Sequence, residues 1–127
     1  MPLNPPRPLG EAYLVESTTS IATTPVAMTV VSPVAGYVQR GVAGAGGTTT
    51  GTITVAVTIN GGSDIFGGAL TVAAGTGSRQ GSSVELAGVG SASGVFVNEG
   101  DMITATPSGG TGSSIGGGFS LVIRRLT

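Results

Sequence analysis

Thr52 to Ile59 alternates without a break, with Ile53, Val55, Val57 and Ile59 on one phase and Thr52, Thr54, Ala56 and Thr58 on the other. Successive side chains of a strand point to opposite faces, so period two predicts a strand with one apolar face and one small, half-polar face. Val, Ile and Thr are stiff at χ1 and suit a pleated surface better than a helix. Burying each of the four aliphatic side chains stabilises by roughly 1.5–3 kcal/mol. Asn60-Gly61 comes next, and because both residue types tolerate positive φ, the strand is expected to end in a hairpin.

The remainder of the chain looks like weaker copies of that design. It has 127 residues, the length of one domain, with 24 Gly and 7 Pro. No window repeats at 3.6 with helix-forming residues, so the expected class is all-β, with Gly-rich connections. Two parts are expected: an extended Pro-rich N-terminal arm over residues 1–10, and a β-sandwich domain over residues 11–127. The arm MPLNPPRPLG holds four prolines, which cannot donate to a β ladder and hold their neighbours extended. It is expected to lie on a partner.

Within the domain, strands are expected at Glu11–Ser17, Val26–Ser32, Val34–Val42, Ile65–Ala74, around Val84 and Leu86, at Gly94–Val97, Met102–Thr106 and Phe119–Leu126. Tyr13 and Val15 share one face of the first, and Phe119, Leu121 and Ile123 share one face of the last. Gly36 is read as a bulge, Gly67-Gly68 as a bend, and Pro107 as a stop. Ala43–Gly51, Gly75–Gly81 with Arg79, and Ser108–Gly118 read as loops. Eight or nine short strands predict a two-sheet sandwich, with the jelly roll as the expected form. No fixed-period repeat points to a solenoid or propeller.

Only 9% of residues are charged, against about 25% in ordinary domains. The five basic residues are all Arg, and net charge is −1. Five scattered Arg give too little phosphate neutralisation for a nucleic-acid partner. No apolar run approaches the roughly 20 residues of a membrane helix, and no signal peptide is read at the start. Absent Cys excludes a disulfide framework and fits assembly in a reducing cytoplasm. With few charges and few aromatics, the surface and the thin aliphatic core both point towards a homo-oligomer or a docked subunit.

Catalytic chemistry is poorly supplied. There is no His, Cys or Lys, so no imidazole base, thiol nucleophile or Schiff-base amine. Gly112-Ser113-Ser114-Ile115-Gly116 spells G-x-S-x-G, but a Gly/Ser loop produces that match by composition. Asp64, Glu99 and Asp101 invite comparison with a calcium site, and together with Glu85 with a glycosidase pair. The spacing instead favours polar turns, with Asn98 and Asp101 bonded to nearby backbone. No metal, cofactor or catalytic residue is therefore expected.

The segments TITVAVTINGG, ALTVAAGTGS, VNEGDMITATPSGG and FSLVIRRL run in that order from Thr52 to Leu126. Together they resemble the small β-sandwich domains of tailed-bacteriophage virion proteins, which occur as head decoration (cement) proteins, head fibres and tail modules. The hairpin Val97 to Ile103 also resembles one near the end of trimeric jelly rolls of the tumour-necrosis-factor and complement type. Residues 1–51 carry no such motif. The likeness implies a non-enzymatic decoration protein on the outer capsid surface of a virion, assembled in the host cytoplasm. Its partners would be the major capsid protein and further copies of itself, a trimer by the same likeness, with neither nucleic acid nor membrane. Extended arms can pair with an exposed sheet edge, so Pro2, Leu3, Asn4, Pro5, Pro6, Arg7, Pro8 and Leu9 are the expected partner-binding residues. A tail or fibre module that binds a host glycan or protein is the alternative. A depolymerase or a pilus-like surface protein is less well supported.

Overall fold

The computed structural model describes residues 10–74, 81–85, 95–111 and 115–126. Residues 1–9 of the arm, residues 75–80 of the loop bearing Arg79, Leu86 and Gly94 lie outside them. Among the described residues nine strands succeed one another and none is helical. They are β1 (Glu11–Thr18), β2 (Met28–Val31), β3 (Gly36–Ala45), β4 (Ile53–Ile59), β5 (Thr71–Val72), β6 (Gly81–Glu85), β7 (Val95–Val97), β8 (Met102–Ser108) and β9 (Gly117–Arg125).

Two antiparallel sheets pack face to face. The first runs β1-β9-β3-β6, with β7 also on β3, and the second runs β2-β8-β4-β5. β6 pairs with residues 40–44 of β3 and β7 with residues 36–38, so the two occupy one interrupted lane. Each sheet then has four lanes, and the chain changes sheet at most connections. This is the strand order of a jelly roll.

The core lies between the layers. Leu14, Val38, Phe119, Leu121 and Ile123 face in from the first sheet; Ile53, Val55, Val57, Ile103 and Ala105 face in from the second. Ile21, Phe66 and Leu70 close it from the loops. The expected inward faces of the anchor strand and of the last strand are therefore found.

One inserted residue keeps β3 in phase. Val38 pairs with Ile123 and Arg40 with Val122, leaving Gln39 as the extra residue. Without it, the alternation begun at Gly36 and Val38 would turn Arg40 into the core. The bulge is thus at Gln39, not at Gly36, and the β6/β7 lane is interrupted beside it. Gly36 answers a different need, because a Cβ there would strike the Arg124 carbonyl of the next strand.

Four further boundaries differ from expectation. Asn60 (φ 52°) and Gly61 (φ 76°) do form a tight turn, closed by the Gly62 N–H donating to the Ile59 carbonyl at 3.0 Å. No strand returns at once, because the Asp64 carboxylate takes the Val57 N–H at 3.1 Å where a partner carbonyl would sit. Only Thr71 and Val72 then pair with β4, so Ile65–Ala74 is mostly turn, bent at Gly67-Gly68 as expected. β3 runs on through Ala43–Ala45, where a loop is expected from sequence, because the small side chains still alternate in burial.

Pro107 does not stop β8, which continues to Ser108 with Pro107 opposite Val55. The Val55 N–H donates away from β8, to the Leu70 carbonyl at 2.8 Å, so this is a non-bonded pair in the β4–β8 ladder. The proline nitrogen faces the β2 lane. β2 begins at Met28, opposite Ala105, and has no residue there to ask for a donor.

Candidate interaction surfaces

The expected partner-binding residues Pro2 to Leu9 lie outside the described residues. The structure takes up at Gly10 (φ 65°), whose carbonyl accepts the Arg125 N–H at 3.1 Å. The described chain therefore begins beside the end of β9, at the β1 edge of the first sheet. Gly10, Glu11 and Arg124 to Leu126 frame a hollow of about 450 Å³ at that point.

The carboxylates hold turns together. Asp64 Oδ1 accepts the N–H groups of Val57 (3.1 Å) and Phe66 (3.0 Å), and Oδ2 accepts that of Gly68 (2.8 Å). Asp101 joins two turns at one end of the sandwich. Its Oδ2 accepts the Asn98 N–H at 2.8 Å, and its Oδ1 accepts Asn60 Nδ2 at 3.0 Å. Asn60 Oδ1 in turn accepts the Met102 N–H at 2.9 Å. These bonds, first that from Asn98 and then that from Asn60, hold the Asp101 carboxyl below its ordinary value. Glu99 is exposed on the same turn. Among the described residues no three His, Cys, Asp or Glu groups gather in a way that could hold a metal. Ser113 and Ser114 of the G-x-S-x-G match lie outside the described residues. The next element along the chain is strand β9, not the helix that a nucleophile elbow requires.

The outer faces of the two sheets differ. On the first sheet, register sets the outward residues in rows. Glu11, Arg124, Tyr37 and Phe96 form the row nearest the arm. Tyr13, Val122 and Arg40 form the next, then Val15, Ser120 and Val42, and last Ser17, Gly118 and Gly44. Tyr13 is 65% exposed, Val15 70% and Phe96 42%. The Tyr37 and Phe96 rings meet edge to face, with centroids 5.4 Å apart. Val122 is 5% exposed although it points outward and is not part of the core cluster, so its neighbours on this face cover it. The two rows farthest from the arm enclose an open groove of about 500 Å³, floored by Gly44 and Gly118 and walled by Val15 and Val42.

The second sheet turns threonines outward. Thr29, Thr104 and Thr58 share one row, and Thr106 lies beside Ala56. Ser108, Thr54 and Thr71 form another row. At the end near Asn60, Val31 and Met102 are about half exposed. No charged residue faces outward on the strands of this sheet.

Sequence reading anticipated the shared face of Tyr13 and Val15 but not their convergence with Tyr37, Val42 and Phe96. The alternation of β3 could have revealed part of this face, had the extra residue at Gln39 been recognised. No family model, curated protein or solved structure matches this chain.

Proposed function

We propose that this chain is a non-enzymatic structural protein of a tailed-phage virion, a decoration protein that binds the outer head surface as an oligomer. The observation that carries this reading is a two-sheet sandwich with two regularly built outer faces and few charges. Such faces suit lasting contact with other protein surfaces, and the resemblance of residues 52–126 to virion β-sandwich domains supplies the setting. The role is mechanical. Copies bridge neighbouring units of the major capsid protein, and linked weak contacts gain strength through effective concentration. The arm Pro2–Leu9 anchors each copy, its prolines reducing the entropy lost on docking.

The second reading is a tail or fibre module that binds a host glycan or protein. The uncharged hydroxyl rows of the second sheet favour it. Co-sedimentation separates the two: purified protein is mixed with undecorated phage heads and, in parallel, with host cells. Decoration predicts pelleting with heads alone. Deleting residues 2–10 should leave the thermal transition in place and abolish pelleting with heads. Undiminished pelleting of the deletion variant would rule out the arm as the anchor.

A further inference from the structure

The chain has three Phe and two Tyr, and Tyr13, Tyr37 and Phe96 all lie on the outer face of the first sheet. Only Phe66 and Phe119 enter the core. Aromatic residues give large contact area at low entropic cost and concentrate at protein interfaces. The face also has relief. Its row nearest the arm is tall, with Arg124, Tyr37 and Phe96. Its row farthest from the arm is bare, with Gly118 and Gly44 under the groove. Close packing needs protrusions opposite recesses, and this face carries both.

We propose that this face closes on the same face of a second copy, about a two-fold axis midway between the two faces, parallel to the sheets and perpendicular to the strands. That operation keeps each lane over its own counterpart and reverses the rows. Tyr37 and Arg124 of one copy then sit over Gly44 and Gly118 of the other. Tyr13 meets Val15, and Val122 lies near the middle. A two-fold contact uses one patch twice, so one surface must be complementary to itself. The tall and bare rows, equally far from the axis, meet that condition.

Area and charge agree with this occupant. At about 4.8 Å between lanes and 3.4 Å per residue, four lanes seven residues long span about 19 by 24 Å. That flat footprint, about 460 Å² per copy, is a little over half of the ~800 Å² per partner of a standard protein interface, the size of a weak, concentration-dependent contact. Exposed Glu11, Arg40 and Arg124 give the face both signs rather than a single-sign field.

This inference does not rest on the virion reading and is tested on the purified chain alone. At ~50 µM, within the range where interfaces of this size associate, light scattering should give close to twice the 12.2 kDa of one chain. Tyr13→Glu and Val15→Glu each alter an exposed side chain, and each should return the mass to one chain with an unchanged thermal transition. Tyr13→Ser, which introduces no charge, should shift the midpoint of association the same way. Thr104→Glu, on the other sheet, should leave the pair intact. A monomeric wild-type chain would overturn the proposal, as would a three-chain mass. A pair that survives both glutamate variants but is lost when residues 1–9 are removed would show the arm to be the occupant instead.

Discussion

The outward side of the β1–β9–β3 sheet and that of the β2–β8–β4 sheet are built by the same alternation, yet they present different chemistry. One carries tyrosines, valines, Phe96 and charges of both signs over a glycine floor. The other is paved with threonine. Their inward sides match in kind, for each gives a row of fully buried aliphatic residues to one core. The core therefore constrains both sheets alike and cannot explain the difference outside. Threonine satisfies strand geometry and keeps a face solvated, because it is β-branched and offers a hydroxyl to water. Exposed tyrosine and valine gain nothing from water, so the first sheet has the face that a partner would improve.

The sharpest way to break this comparison is to disturb the two interiors equally. Leu121→Ala in the first sheet and Ile103→Ala in the second each remove a side chain that is 0% exposed. Each should destabilise by about 2–5 kcal/mol, read as a lower urea midpoint with unchanged slope. A large cost in one sheet and almost none in the other would mean that the layers do not share a core.

A smaller effect tests how the layers touch. Gly41 faces inward on β3, and a Cβ there would fall on the Phe66 ring, which reaches across from the loop after β4. Gly41→Ala should cost about 1–3 kcal/mol through overpacking. Phe66→Leu in the same chain should recover part of that loss, because the two sites couple. Strict additivity in the double variant would mean that the two residues do not press on each other.

Legibility in the sequence has the same physical basis. The anchor strand and Phe119–Ile123 were legible because uninterrupted alternation encodes a face directly. The course of β3 was not, because Gln39 shifts the phase by one, and no single residue type announces a bulge. Pro107 misled for a related reason. A proline is excluded from a strand only where a neighbouring lane needs its N–H, and the end of β2 is not visible from β8 alone. The outer face of the first sheet was legible only in part, since it joins β1, β3, β7 and β9 from both halves of the chain. Local pattern fixes which way a side chain points, but pairing decides which side chains become neighbours.

The gentlest test concerns the clip between turns at the end near the arm. Asp101 accepts bonds from Asn98 and Asn60, and its carboxyl is held below the ordinary value of 3.8. Its ionised form is therefore favoured in the folded chain relative to the unfolded one. Whatever stability this supplies is complete above the unfolded value and is lost as pH falls through the lower, folded value. The carboxyl lies at the surface, so the effect is small. Thermal midpoints tracked from pH ~7 to ~2 should fall slightly less steeply below ~4 in Asp101→Asn than in the wild type. The variant keeps an acceptor towards the Asn98 N–H, so the two curves should lie close together at neutral pH. Identical acid limbs would mean that the turn geometry alone, without the charge, holds Asn60 against β8.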